Sequence, residues 1–215
     1  MSNLINDLKN VLVLSPHTDD MEFGCGGLVS RLIREGKKIT HLVFSICEES
    51  VPDGFKKNIL EDECKASSAV LGINEENLII KKFKVRNFPA QRQEILDVII
   101  KVRNQENFDL VLIPSSNDFH QDHKTIYEEG LRAFKNCNLI GYQLFWNNLS
   151  SFNEFYIRID NIDLENKIKS IKEYKTQIFR PYSNDKVIYS QAELLGFQSG
   201  KYKFAESFEI IRLFS

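Results

Sequence analysis

Two short clusters of histidines and carboxylates each follow a run of strand-forming residues. The first is Pro16-His17-Thr18-Asp19-Asp20, directly after Val11-Leu12-Val13-Leu14-Ser15. The second is Asn117-Asp118-Phe119-His120-Gln121-Asp122-His123, shortly after Leu110-Val111-Leu112-Ile113-Pro114. Together they supply three histidines and several carboxylates. A neutral imidazole and a carboxylate both bind zinc, and a bound cation acidifies water, so this is the material of a hydrolytic metal site. Adjacent Asp19 and Asp20 cannot serve one ion in the same way. A division of labour follows, in which one ligates and its neighbour takes a proton from the water. Asp122 lies between His120 and His123 and suits a carboxylate that orients a histidine through its ring N–H. A histidine so paired has its protonated form favoured, and acts as an acid or stabilises an oxyanion. The blander reading makes Asp19 or Asp20 a helix cap and the histidines satisfied polar groups near helix starts. That both clusters follow predicted strands argues against it.

The clusters are about a hundred residues apart, so the fold must bring them together. In an open parallel α/β sheet, ligands bind beyond the carboxyl ends of the strands. The patterning predicts strands over 11–15, 38–46, 77–83 and 110–113 and helices over 26–36, 58–71, 90–106 and 124–135. This alternation predicts a Rossmann-like three-layer α/β sandwich with a mostly parallel sheet and helices on both faces. Beyond residue 138 the pattern changes, to strands at 139–146 and 155–160, helices at 163–177 and 189–195, and a strand at 208–213. With no linker to divide the chain, 1–215 reads as one domain, with 139–215 its accessory layer or lid. Gly24, Gly26 and Gly27 read as a tight turn beside the site. They do not complete GxGxxG, because Val29 stands where the third glycine belongs. A Rossmann-like nucleotide-binding module using these glycines is the competing reading, and it leaves His120 and His123 without a purpose.

A net charge of −2 and scattered lysines exclude the basic face of a nucleic-acid binder. No apolar run approaches the length of a membrane span. The amino terminus lacks the pattern of a signal peptide, so a cytoplasmic location is expected. Cys25, Cys47, Cys64 and Cys137 form no CxxC pair, which argues against a zinc knuckle and a disulfide framework. The sequence leaves a homo-oligomer open. Arg86 offers a fork of donors to a substrate hydroxyl or phosphate. Glu48 and Glu49, at the end of the second strand, are placed for sugar hydroxyls. Tyr142, Phe145 and Trp146 form either a stacking wall or core.

The first cluster with Gly24-Cys25-Gly26-Gly27 resembles the PHPDD-plus-glycines signature of the PIG-L/LmbE-like de-N-acetylases. The second resembles that family's HPDH or HxDH motif. The resemblance extends to Arg86-Asn87-Phe88-Pro89 and to Tyr174-Lys175-Thr176-Gln177 through Arg180-Pro181-Tyr182. It implies a metal-dependent hydrolase that removes acetyl from an N-acetylated amino sugar or conjugate, a small-molecule substrate. It implies that His17, Asp20 and His123 bind zinc, that Asp19 is the general base, and that His120 stabilises the oxyanion or protonates the amine, with Asp122 modulating it. Iron(II) or another divalent ion is the alternative, since two histidines and a carboxylate also make the facial triad of non-haem iron enzymes. Thr18 and Gln121 depart from the family's prolines, which implies looser loops around unchanged ligands. Some members place an oxyanion-assisting tyrosine where Asp118 stands here, and Asp118 is counted with the substrate-binding residues Arg86 and Glu48.

Overall fold

The computed structural model describes residues 4–148, 150 and 153–214. Strand β1 (Asn10–Ser15) is buried at every position after Asn10, as expected of a strand covered on both faces. Its side chains alternate between two cores. Val11 and Val13 join the core that holds Met21, Leu28 and Leu32, whereas Leu12 and Leu14 join the one that holds Ile95, Ile99 and Ile126. The other strands are β2 (Lys38–Val43), β3 (Leu78–Ile80), β4 (Leu110–Pro114), β5 (Asn138–Tyr142), β6 (Phe155–Ile159) and β7 (Phe204–Arg212). The helices are α1 (Leu4–Asp7), α2 (Asp20–Arg34), α3 (Ile59–Leu71), α4 (Arg92–Arg103), α5 (Gln121–Ala133), α6 (Asn161–Ile171) and α7 (Asp185–Gln198).

Among the described residues the strands form one sheet in the order β3-β2-β1-β4-β5-β7-β6. It is parallel from β3 to β5, and β7 runs antiparallel to both β5 and β6. The mixed α/β architecture, with a mostly parallel seven-stranded sheet between helical layers, is the one the alternation predicts. Strand order reverses between β1 and β4, which pair with Val11 opposite Leu110. This is the topological switch point, where open α/β sheets place their ligands. Both histidine clusters follow these two strands.

Several boundaries differ from the sequence expectations. Helix α2 begins at Asp20, six residues before the expected 26, and breaks inside at Cys25 (φ −150°, ψ 20°). The break frees the amides of Gly27 and Leu28, and both donate to the buried Glu206 carboxylate, at 3.0 and 2.7 Å. The break also frees the Phe23 carbonyl, which accepts from Lys167 Nζ at 2.8 Å. Lys167 and Glu206 pair at 2.7 Å, so one buried ion pair splices the two halves of the helix. A side chain at Gly27 would collide with Glu206 and Ile159, and one at Gly24 with the Tyr142 ring. The glycines therefore serve close packing. The amides that a phosphate-binding turn would offer are occupied by Glu206.

Helix α5 begins at Gln121, three residues before the expected 124, because His120 caps it: Nδ1 accepts from the Asp122 amide at 3.2 Å. Helix α6 starts two residues early on the capping box of Asp160 and Asp163 and stops at Ile171 rather than 177. Strand β5 ends at Tyr142 rather than 146.

Candidate metal centre and active-site cavity

Pro16 through Asp20 carry the chain from β1 into α2. The first amides of a helix invite a side-chain cap, yet Asp19, at the N-cap position, makes no cap hydrogen bond. Asp20 folds back instead, and its Oδ2 accepts from the His17 amide at 2.7 Å. The same oxygen lies 3.4 Å from His17 Nδ1 and 3.3 Å from His123 Nε2. The two ring nitrogens are 3.1 Å apart. Three donor atoms from the ends of β1 and β4 thus face one another in a triangle.

The opposite edges of both rings are engaged. His17 Nε2–H donates to Asp122 Oδ2 at 3.1 Å, and His123 Nδ1–H donates to Asp118 Oδ2 at 2.7 Å. Carboxylates accept only, so each ring proton is drawn outward and the inward nitrogens present lone pairs. Two lone pairs and a carboxylate oxygen crowded together are the donor set of a cation site. Tetrahedral ligands about 2.1 Å from an ion lie roughly 3.4 Å apart, so the triangle fits zinc or a similar divalent ion. His120 stands beside it, and one nitrogen from each of His17, His120 and His123 fits within 4.8 Å.

Charge follows from this arrangement. Burial would raise the Asp20 pKa, but the neighbouring His123 and His17 rings and the hydrogen bonds from His17 hold it well below the usual carboxylate range. For Asp19, burial and the neighbouring Asp20 charge outweigh the weaker pull of His17 and His123 and push it up to about 6. His120 is driven down to about 4 by burial and by His17 and His123. Its Nδ1 accepts from the Asp122 amide, so the neutral ring carries its proton on Nε2.

A cavity of about 360 Å³ opens over the triangle. It is lined by His17, Asp19, Asp20 and His120, by Cys47 and Ser50 after β2, by Arg86, and by Trp146, Arg180 and Tyr182 from the carboxyl-terminal third. A larger concavity of about 470 Å³ lies at the amino ends of β4 and β5, around Arg103 and Phe134, away from these groups. Cys47 (φ 52°) and Arg86 (φ 64°) are the non-glycine residues with left-handed backbone among those described, and both line the cavity. Strained conformations of this kind gather at functional sites.

Of the residues singled out from the sequence, His17, Asp19, Asp20, Arg86 and His120 line this cavity, and several relationships differ from those expected. Asp122 was expected to tune His120. Its carboxylate instead holds His17 and accepts from the amides of Arg86 and Phe88 at 2.6 and 3.3 Å. With its Nδ1 capping the helix, His120 is kept neutral, whereas carboxylate pairing would have favoured its protonated form. Asp118, expected to face substrate, is buried behind His123 and also accepts from the His120 amide at 2.9 Å. Glu48 is exposed and does not line the cavity. Gln121 does not loosen its loop, because its amide donates to the Arg86 carbonyl. Of the three aromatics, Trp146 lines the cavity, stacked on Tyr182 at 3.9 Å and 12°. Phe145 is half exposed at the surface. Tyr142 is core, with its hydroxyl donating to the Leu14 carbonyl at 2.9 Å. Cys47, Ser50 and Asn147 were missed, since nothing in their local sequence sets them apart from ordinary loop residues.

Residues 12–134 match the family described as GlcNAc-PI de-N-acetylase (PIG-L). Over 137 residues, 60% of this chain, the sequence is 28% identical to the diacetylchitobiose deacetylase of Thermococcus kodakarensis, and the match spans half of that protein's length. The N,N'-diacetylchitobiose deacetylase from Pyrococcus horikoshii superposes with a TM-score of 0.81 at 18% identity, over 98% of this chain and 86% of that one. GalB, the 4-carboxy-2-hydroxymuconate hydratase from Pseudomonas putida KT2440, superposes with a TM-score of 0.79 at 14% identity, over 97% of this chain and 98% of that one. At these identities the structural likeness is one of fold. The family match covers both histidine clusters, β4 and β1 from Leu12 onward, and on that match the chain belongs to the PIG-L family of GlcNAc-PI de-N-acetylases.

Proposed function

We propose that this chain is a metal-dependent hydrolase that removes an acetyl group from an N-acetylated amino sugar or its conjugate. The observation that carries this reading is the inward-facing triangle of His17 Nδ1, Asp20 Oδ2 and His123 Nε2, with the unpaired Asp19 carboxylate in the same cavity. Membership of a de-N-acetylase family and likeness to a diacetylchitobiose deacetylase support an acetamide as the bond that is cut.

His17, Asp20 and His123 would hold zinc, with iron(II) as the alternative occupant. The cation, when bound, supplies a Lewis acid for the acetamide carbonyl and lowers the pKa of a water. Asp19, poised near neutrality by burial, accepts a proton from the attacking water. Neutral His120 donates Nε2–H to the carbonyl oxygen as charge develops there, a role that needs no protonated ring. The proton taken by Asp19 is then available to the departing amine. Asp118 and Asp122 act through the histidines they hold.

The test is acetate release from N-acetylglucosamine, diacetylchitobiose and their conjugates by the zinc-loaded chain. Release that a chelator abolishes and zinc restores supports the reading; release that survives metal removal contradicts it. The shared fold of GalB favours one second reading, water addition to a carbon–carbon double bond. Hydration of an unsaturated carboxylic acid without any acetate release would select it.

A further inference from the structure

The peptide bond just ahead of Asp19 is held by a side chain 156 residues further along the chain. The carbonyls of Pro16 and Asp19 accept from backbone amides, of Ser45 at 3.0 Å and of Phe23 at 3.3 Å. Among the described residues no backbone amide reaches the Thr18 carbonyl that lies between them. Thr18 is buried, and a buried carbonyl left without a donor is costly. The Tyr174 hydroxyl supplies the donor, at 2.5 Å. The same hydroxyl lies 3.1 Å from Glu22 Oε1, to which Ser67 Oγ donates at 2.5 Å. A tyrosine has one hydroxyl proton and a carbonyl only accepts, so the shorter contact takes that proton.

Tyr174 is itself firmly placed. It follows α6, and its ring is fully buried in the core cluster that holds Leu60, Cys64 and Val85. Two residues on, the Thr176 amide and hydroxyl donate to the two oxygens of buried Glu63 in α3, at 3.1 and 2.6 Å. A close-packed interior yields little, so a donor held in this way fixes its acceptor. Asp19 depends on that more than Asp20 does. The Asp20 carboxylate is tied to the His17 amide at 2.7 Å. The Asp19 side chain makes no cap hydrogen bond, so its direction comes from its backbone. The Thr18 carbonyl shares one rigid plane with the Asp19 amide, and holding that oxygen sets the direction in which the Asp19 side chain leaves the chain.

We propose that Tyr174 is a positioning residue for Asp19: its hydroxyl fixes the Thr18–Asp19 peptide and thereby aims the base into the cavity. Tyr174 does not line that cavity and acts on the reaction only through the loop. The proposal rests on the deacetylase reading and adds to it a residue outside the site.

Zinc-loaded wild type is compared with Tyr174→Phe, Thr176→Val, Asp19→Asn and the double variant of Tyr174→Phe with Asp19→Asn. Phenylalanine fills the space of the ring and removes only the hydroxyl, and thermal melting shows that each variant is folded. Acetate release gives kcat and KM, elemental analysis gives zinc content, and hydrogen exchange of the amides of residues 17–20 reads the loop. Tyr174→Phe is expected to lower kcat by about 10- to 100-fold, to leave KM and zinc content within about twofold, and to speed exchange over 17–20. Thr176→Val gives up a buried hydroxyl of the same segment that does not touch Thr18; it should melt lower and keep the wild-type kcat. In the Asp19→Asn background the loss of the tyrosine hydroxyl should have no further effect, because it acts through Asp19. Unchanged kcat in Tyr174→Phe, an equal loss in Thr176→Val, additive losses in the double variant, or a loss that follows the loss of zinc overturns the proposal. A wild type that releases no acetate refutes the deacetylase reading instead. Hydrogen exchange then decides the hold on the loop by itself: faster exchange over 17–20 in Tyr174→Phe upholds it, and unchanged exchange overturns it.

Discussion

Asp118 Oδ2 accepts from His123 Nδ1 at 2.7 Å, on the ring edge opposite the one that faces His17 and Asp20. Asp122 stands in the same relation to His17, so each candidate histidine ligand has its own buried carboxylate. Such partners fix the tautomer and raise the basicity of the inward nitrogen. Asp118→Asn and Asp122→Asn should each weaken zinc binding by about 10–100-fold, read by competition with a chelating dye. Wild-type affinity in both variants would mean that the carboxylates do not support the ligands.

Asp19→Asn keeps the triangle and removes the base. The variant should retain stoichiometric zinc by elemental analysis and lose about 10²–10⁴-fold in kcat. Near-normal turnover would move the base elsewhere.

The Lys167–Glu206 pair joins the two halves of α2, the helix that begins at Asp20. Lys167→Met leaves the Glu206 charge buried without its counter-ion and should cost about 3 kcal/mol in urea unfolding. Adding Glu206→Gln removes the orphaned charge while keeping an acceptor for one of the Gly27 and Leu28 amides, so the double variant should be the more stable of the two. A single variant as stable as wild type would show that the break holds without the pair.

His41 is fully buried between the hydroxyls of Ser15 and Ser68, and burial drives its pKa down to about 3. The unfolded chain binds a proton near pH 6.5 that the folded protein refuses. This group's contribution is therefore complete above about pH 6.5 and is lost as pH falls toward 3, at up to about 1.4 kcal/mol per pH unit. His41→Asn should flatten the stability profile between pH 6.5 and 5 relative to wild type. Identical slopes would show that His41 is protonated in the folded state.

The alternation of strand and helix and the placement of both histidine clusters after β1 and β4 are properties of the chain read in one dimension. Periodicity of 2 and 3.6 residues and the donor chemistry of His and Asp are local, so Asp19, Asp20, His17 and His123 stand out without coordinates. Tertiary structure alone decided that Asp122 serves His17 and that Asp118 stands behind His123. Each of these carboxylates lies within five residues of both His120 and His123, and only the path of α5 selects which ring it meets. The early start of α2 was hidden for the same reason. Gly24 through Gly27 look like a turn until Glu206, 179 residues from Gly27, accepts the amides that the broken helix exposes. The cavity wall likewise joins Arg86 to Trp146, Arg180 and Tyr182, residues that share no sequence neighbourhood and are assembled only by packing around the sheet.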